Sequence, residues 1–240
     1  MAKYLESLLV KSNHHTMIYT TSYDPDREEE IIKRLLSYDV HGIIVLYQLI
    51  NPQNWDILKR SGKEIVSLEG GTYCSQLGIP NLHTDGFSGE YAAAKYLLDK
   101  GVKRIAFIHQ TAINDTLQNR FLGYVKAMQE SGLFNPQDVF YLENTADFYS
   151  ECKRIGAQIA AQPYDGILST SDSIAISLIR QLLINGKKVP DDVRIIGFDN
   201  VPLAEQFIPS LTTVSQPSEE ICRQIISILF HDPESGEPDP

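Results

Sequence analysis

The sequence has little of what cross-links a fold or anchors it in a membrane. It contains three cysteines in 240 residues, Cys74, Cys152 and Cys222, and their wide spacing matches neither a disulfide framework nor a zinc site. No apolar run approaches the roughly 20 residues that a membrane helix needs, and the segment after Met1 is amphipathic, unlike a signal peptide. We therefore expect reduced thiols, a cytoplasmic location and no contact with a membrane.

Basic residues are also scarce. Lys and Arg number 21 against 31 Asp and Glu, which gives a formal net charge of −10 at pH 7. Binding to the phosphate backbone of DNA depends on contacts from Lys and Arg side chains. We therefore expect that this chain does not hold DNA by itself.

The common motifs of enzymes and metal sites are missing as well. The sequence has no Gly-x-Ser-x-Gly elbow, no His-Glu-x-x-His pair and no Walker loop. The tandem pair His14 and His15 cannot present both side chains on one face, so a solvated pair is a better interpretation than a metal site. We predict no catalytic residue, no metal and no cofactor.

What the sequence does contain is an alternation of apolar runs and amphipathic segments. Hydrophobic residues make up 42% of the chain, which is enough for a sizeable core. Strands are predicted at residues 17–21, 42–47, 64–69, 104–108, 139–142, 166–169, 193–198 and 211–214. Helices are predicted at residues 2–11, 24–36, 52–60, 87–100, 117–131, 148–161, 174–184 and 218–230. Such alternation is typical of parallel sheets with crossover helices.

The run VRIIGFDN at residues 193–200 organises the second half of the chain. It predicts a buried strand that brings Asp199 to its carboxyl end, where open α/β sheets bind their ligands. A short polar connection then leads to PSLTTV at residues 209–214, a second β-prone run. The alternative is an ordinary buried strand followed by a capping Asp.

These two runs, with VPLAE between them at residues 201–205, resemble the signature of the lactose-repressor/galactose-repressor (LacI/GalR) family of transcriptional regulators. Three further segments are similar to that family: DGFSGEYAA at residues 85–93, KGVKRIAFI at 100–108 and the Arg-x-x-Gly-aromatic run at 120–124. The resemblance covers nearly all of the predicted order of elements.

The resemblance implies an α/β fold of two Rossmann-like lobes with parallel sheets flanked by helices, as in periplasmic-binding-protein-like domains of type I. The N-terminal lobe would comprise residues 1–84 and 213–230, and the C-terminal lobe residues 85–212. Residues 231–240 are polar and Pro-rich, which predicts a disordered tail. The family's DNA-reading headpiece, the first strand of its first lobe and the last strand of its second lobe find no counterpart in this sequence.

The resemblance also implies an effector site at Asp199, Arg120 and Phe148. Residues that match Asp199 and Arg120 contact the effector in the family, and a carboxylate and a guanidinium suit recognition of hydroxyl groups. The alternative is that these two pair with each other across the cleft. An aromatic residue that matches Phe148 packs on the effector's face, and the alternative is a core or helix-start residue.

Three more positions match effector-contacting positions of the family. Glu69 precedes a glycine pair and matches a position that often carries Asp; the pair is also compatible with a phosphate cradle, although weakly without a following helix cap. Tyr47 ends the preceding strand and either lines the wall of the first lobe or merely covers it. Ser171 stands where the family has Asn, and its shorter reach weakens the expected contact. Asp172 beside it is predicted to be a helix N-cap.

We therefore expect an effector-binding module of a LacI-type regulator, in which the lobes close around a small sugar or sugar derivative and change the spacing of attached DNA headpieces. The alternative is a solute-binding protein of a sugar transport system, which shares the fold; a sugar-processing enzyme is a more distant one. The family pattern and the apolar Leu5, Leu8 and Leu9 on an exposed first helix predict a homodimer. The identity of the effector does not follow from the resemblance.

The missing first strand has an energetic consequence. In the family's fold it lies between the strands predicted here at residues 17–21 and 42–47. Its absence predicts unpaired backbone groups along two buried strands, at a cost of about 1–3 kcal/mol for each group. We expect a fragment of a longer protein, whose first lobe is the less stable half and is completed by a shifted strand or a neighbouring chain.

Overall fold

The computed structural model describes residues 1–11, 13–22, 24–111, 115–143 and 147–231. The chain forms two compact units, the first of Met1–Thr84 with Pro217–Pro240 and the second of Asp85–Gln216. Each unit is built on a parallel sheet with flanking helices, which confirms the predicted fold class. The tail predicted to be disordered lies, from residue 232 onward, outside the described residues.

The first unit contains a three-stranded sheet in the order β1-β2-β3, with parallel pairing throughout. Its strands are β1 (Gly42–Leu46), β2 (Glu64–Leu68) and β3 (Asn81–Leu82). Its helices are α1 (Ala2–Lys11), α2 (Pro25–Ser37), α3 (Gln53–Arg60), α4 (Gly71–Gln76) and α10 (Ser218–Phe230). Helix α2 begins as predicted, because Asp24 accepts hydrogen bonds from the amides of Asp26 and Arg27 at 3.0 and 3.2 Å.

The prediction of a strand at residues 17–21 is wrong. This segment has no strand structure, and Met17 and Ile18 are 49% and 69% exposed. Its β-branched and aromatic residues favour a strand only where a neighbouring strand supplies backbone partners. Among the described residues, β1 pairs only with β2, and a cavity of about 840 Å³ lies between β1, α1, α2 and the segment at residues 16–22.

The prediction that Leu5, Leu8 and Leu9 lie exposed on the first helix, where they would favour a dimer, is wrong for Leu5 and Leu9. Leu5 and Leu9 are each 5% exposed and pack against Ile221 and Ile225 of α10. Their helical spacing therefore serves packing inside the first unit, and they are not available to a second copy.

The glycine pair before α4 has a structural role. Gly70 is the N-cap and α4 starts at Gly71, a helix that we did not predict. The amide of Gly70 donates to Asn81 Oδ1 at 2.9 Å, so this donor is already used. The alternative of a phosphate cradle is not supported.

The second unit contains a five-stranded parallel sheet in the order β5-β4-β6-β7-β8. Its strands are β4 (Ile105–Gln110), β5 (Val139–Leu142), β6 (Gly166–Ser169), β7 (Arg194–Asp199) and β8 (Thr212–Ser215). Its helices are α5 (Gly86–Asp99), α6 (Asp115–Glu130), α7 (Phe148–Ala160), α8 (Asp172–Ile184) and α9 (Pro202–Gln206). None of the helices in the described ranges of the whole chain has the length and apolar character that a membrane crossing requires.

The boundary expected at residue 213 differs from the structure. β8 pairs in parallel with β7, with Gly197 opposite Thr213 and Phe198 opposite Val214. Four more residues therefore belong to the second unit, and the chain returns to the first unit at Pro217. The β-prone run extends the second sheet because β7 offers it a free edge.

The second sheet is buried on both faces. Along β4, Ile105 and Phe107 face the core under α5 and α6, whereas Ala106 and Ile108 face the core under α7 and α8. Side chains alternate between faces along a strand, so an uninterrupted apolar run is what a doubly covered parallel strand requires. This rigid sheet positions the loops at its carboxyl edge.

Candidate functional site

Polar side chains meet where the strands of the second sheet end. β7 ends at Asp199, β6 is followed by Thr170 and Ser171, and β8 is followed by Gln216. Because all five strands are parallel, their carboxyl ends lie along one edge of the sheet. Open α/β sheets bind their ligands at this edge, which makes it the candidate site.

Asp199 and Arg120 form the centre of this site. Arg120 Nη2 donates to Asp199 Oδ1 at 3.4 Å, and Gln216 Nε2 donates to the same oxygen at 2.6 Å. Both partners belong to the second unit, so the pair forms within one lobe and not across a cleft. The side chain of Asp199 is 33% exposed while that of Arg120 is 7% exposed. The carboxylate is therefore the accessible member of the pair.

Arg120 is held in place by contacts on several sides. Its Nη1 donates to the carbonyl oxygen of Thr170 at 2.5 Å. Its Cζ lies 3.7 Å from the centroid of the Phe198 ring, a cation–π arrangement that is stronger where water is excluded. The guanidinium therefore has a defined orientation before any ligand arrives.

The turn that carries Asp199 is held by Asp172. Asp199 and Asn200 have φ angles of 113° and 52°, a region in which residues other than glycine are under strain. Asp172 Oδ2 accepts a hydrogen bond from the amide of Val201 at 2.8 Å, and its Oδ1 accepts from Thr213 Oγ1 at 2.5 Å. Asp172 thus ties the end of β7 to β8.

The prediction that Asp172 is the helix N-cap is wrong by one residue. Ser171 is the N-cap of α8, and its Oγ accepts from the amide of Ile174 at 3.4 Å. Asp172 is 1% exposed and turns to the neighbouring strand because a buried carboxylate needs several donors. Ser171 lies at the candidate edge, and its contact with an effector stays a prediction.

Phe148 is the first residue of α7, which follows β5. It is half-buried, packs against the core under α7 and α8, and meets Tyr149 edge-on with ring centroids 5.5 Å apart. The alternative of a core residue at a helix start therefore accounts for part of the ring. Stacking of its exposed part on an effector stays a prediction.

The two residues predicted in the first unit have different surroundings. Tyr47 follows β1 and is 54% exposed. Glu69 follows β2 and is 7% exposed, and its Oε1 accepts from the amide and the Oγ1 of Thr84 at 2.7 and 2.6 Å. Glu69 therefore stabilises the segment after β3, whatever else it contacts, and a role for either residue in effector binding stays a prediction.

Burial changes the proton affinity of three carboxyl groups in the second unit. Burial raises the pKa of Asp199, and the charge of Arg120 opposes this. Burial also raises the pKa of Asp172, against hydrogen bonds from Thr213 and the Val201 amide. Burial raises the pKa of Glu90 to about 8, although the charge of Arg120 acts to lower it.

Among the described residues of the whole chain, no group of three or more His, Cys, Asp or Glu could hold a metal ion.

Sequence reasoning missed one residue of this site, Gln216, and a buried acid near it, Glu90. Glu90 shares the buried face of α5 with Ala93, Ala94 and Leu97, and this helical spacing was a detectable signal that a charged residue lies in the core. Gln216 follows β8, and nothing in the local sequence indicates that it contacts Asp199.

Comparisons with known proteins agree with the fold of the chain. The family model of the periplasmic binding protein-like domain matches residues 94–240, more than half of the chain. Catabolite control protein A of Staphylococcus xylosus is 29% identical over 221 residues, which cover 92% of this chain and 66% of that protein. The chain therefore spans slightly less than two thirds of the length of this relative.

Solved structures extend the match to the whole chain. A LacI family transcriptional regulator from Lactobacillus casei, solved with bound glucose, is 25% identical with a TM-score of 0.81, and the match covers 100% of this chain and 89% of that one. The transcription regulator CcpA of Lactococcus lactis is 22% identical with a TM-score of 0.83 and covers 100% and 87%, a likeness of fold. The chain belongs to the family of periplasmic binding protein-like domains, in the form of an effector-binding domain of the LacI/GalR type.

Proposed function

We propose that this chain is the effector-binding module of a LacI-type transcriptional regulator and that Asp199 and Arg120 hold an uncharged sugar or sugar derivative. The observation that carries this proposal is the cluster of Arg120, Asp199 and Gln216 at the carboxyl edge of the second sheet. A partly exposed carboxylate accepts hydrogen bonds from neighbouring hydroxyls, and a guanidinium and an amide beside it donate. This set suits a polyol, whose hydroxyls both donate and accept.

The charge distribution favours an uncharged effector over a phosphorylated one. The carboxyl ends of the strands of the second sheet and the segments after them comprise residues 109–119, 143–148, 169–173, 200–206 and 215–218. Taken together, these ranges contain five acidic residues and no Lys or Arg. Arg120 is already paired with Asp199. A phosphate or carboxylate would meet a negative field without a cation to neutralise it.

The relatives support a regulator over a transport protein. One relative is a catabolite control protein, and one similar solved structure is a Lactobacillus casei regulator with bound glucose. We infer for this chain a cytoplasmic role without enzyme activity, in which effector binding closes the lobes. Contact with DNA would be made by an attached segment and not by this acidic chain.

Thermal unfolding with a panel of small molecules tests this function. We expect an uncharged sugar such as glucose, ribose or sucrose to raise Tm, because a ligand at 100 times its Kd adds about 2.7 kcal/mol of stability. The phosphorylated counterpart, such as glucose 6-phosphate, should leave Tm unchanged. Stabilisation by the phosphorylated sugars alone would contradict the assignment.

We further propose that the chain forms a homodimer, as the LacI/GalR resemblance implies. The large apolar side chains of α1 that remain exposed are Tyr4 and Val10, at 47% and 60%, since Leu5 and Leu9 are used internally. Sedimentation should show a species near twice 27.0 kDa, and a gel shift with operator-like DNA at physiological salt should be blank. A strict monomer at high concentration would refute the dimer without affecting the fold.

A further inference from the structure

Glu90 is a buried acid that the proposed site does not yet explain. It lies in the first half of α5 and is 1% exposed. Its Oε2 has no hydrogen-bond partner among the described residues. Leaving a buried polar group unsatisfied is costly, so a carboxyl group in such a position calls for a physical explanation.

The charged groups that act on the Glu90 carboxyl group belong to the candidate site. Arg120 and Asp199 act on it electrostatically, the first favouring and the second opposing its ionised form. Helix α5 packs mainly on α6 and also approaches β6 and β8; neither strand contains a titratable residue. On α6, the hydroxyl of Tyr124 donates to Ile105 O, and Lys126 pairs with Glu130 at the exposed end. Arg120 is thus the cation that ionised Glu90 would meet.

Arg120 has a spare donor on the side of α5. A Cβ built at Gly86 would lie 3.0 Å from Arg120 Cγ and 3.7 Å from Arg120 Nε. Gly86 and Glu90 are four residues apart and therefore adjacent on one face of the helix. Arg120 Nε is buried and has no hydrogen-bond partner among the described residues. This unsatisfied donor lies beside Gly86 on α5, one helical turn before Glu90, whose Oε2 is an unsatisfied acceptor.

We propose that Glu90 is a positioning residue for Arg120. As a neutral acid it leaves the guanidinium on Asp199 and Thr170. As a carboxylate it accepts a hydrogen bond from Arg120 Nε and competes with Asp199 for the positive charge, which weakens binding of an effector at the carboxyl edge. The effect on binding rests on the function proposed above for Asp199 and Arg120.

Burial supplies the reason why the neutral form is present at neutral pH, since it raises the pKa of Glu90 to about 8. Because this pKa lies above that of an unfolded Glu, the folded chain binds the proton more tightly. The stability contributed by Glu90 is therefore full below about pH 4.5 and is lost as pH rises through about 8.

Thermal unfolding of the whole chain without ligand gives the first test. Between pH 5 and pH 8.5, Tm of the wild type should fall relative to Tm of Glu90→Gln by roughly 5 °C or more, because the amide has the same shape and does not titrate. A constant difference would overturn the protonation of Glu90. This result alone would not separate a positioning role from simple burial.

A double-mutant cycle supplies that separation. The effect of Arg120→Gln on Tm should be larger in the wild type than in the Glu90→Gln background at pH 9, and equal in the two at pH 6. Additive effects at pH 9 would overturn the link to Arg120. Should Arg120→Gln not fold, ¹³C NMR titration of the Glu90 carboxyl replaces the cycle. It is made without ligand and with a saturating concentration of whichever of D-glucose, ribose and sucrose binds in calorimetry. Bound sugar must raise the pKa of Glu90, and an unchanged pKa in the complex refutes the proposal.

Calorimetry with D-glucose tests the effect on binding. Affinity of the wild type should be at least about fivefold weaker at pH 9 than at pH 6.5, a change within the usual range of site coupling, while Glu90→Gln should bind equally at both. The same loss in both proteins would exclude Glu90 as its cause. If D-glucose does not bind, the same titrations are made with ribose and sucrose. Absence of binding of all three sugars at both pH values would refute the proposed function, and the double-mutant cycle would still decide whether Glu90 positions Arg120.

Discussion

Asp199→Ala should reduce effector affinity by roughly ten- to a hundred-fold while the second unit stays folded, because losing a charge-assisted hydrogen bond costs about 1.5–3 kcal/mol. Asp199 is the partly exposed acceptor of the site, and its removal leaves Arg120 and Gln216 without their shared carboxylate. The fold should tolerate the change because the turn is tied down by Asp172 and not by Asp199.

The measurement is isothermal calorimetry with the sugar that raises Tm most in the panel. Glu205→Ala is the matched control, since Glu205 is exposed on α9 and its loss removes one negative charge as well. Arg120→Ala should behave like Asp199→Ala, and Phe148→Ala should weaken binding less selectively, because that ring also packs on the core. Unchanged affinity in a folded Asp199→Ala protein would remove Asp199 from the site.

Backbone amides of β1 should exchange with solvent at least about 100-fold faster than those of β4 and β7, as expected if β1 opens at a free-energy cost about 3 kcal/mol smaller. Among the described residues β1 pairs on one side only, whereas β4 and β7 each lie between two strands. The side of β1 that is unpaired among the described residues borders the cavity of about 840 Å³. Within the described ranges, the amides on that side therefore lack strand partners like those that protect the second sheet.

Hydrogen exchange of a monomeric sample would compare Ile43 and Ile44 of β1 with Ile105 and Phe107 of β4 and with Ile196 of β7. β2 provides an internal control, since it is paired on both sides within the first unit and should be better protected than β1. Equal and strong protection of β1, β4 and β7 would contradict the argument that the open edge makes the first unit the less stable one.

The sequence alone determined the fold class and most elements of the second unit. The apolar runs that became β4, β6 and β7 are buried on both faces, and burial on both faces is the condition under which an uninterrupted run identifies a strand. The cap at Asp24 acts within three residues, so local sequence carries it. The family resemblance then indicated Asp199 and Arg120 as site residues.

Tertiary structure decided whatever depends on a distant partner. Residues 17–21 have β propensity but no neighbouring strand in the part of the chain that the structure describes. Leu5 and Leu9 meet α10 from the other end of the chain, and β8 joins the second sheet along the edge of β7. Asp199 and Arg120 are 79 positions apart, and Glu90 is buried because α5 packs on α6 and on the second sheet. Local periodicity indicates which face of an element is apolar. How the elements pack decides which partner covers that face, and which buried polar group, such as Glu90 Oε2, has no hydrogen-bond partner among the described residues.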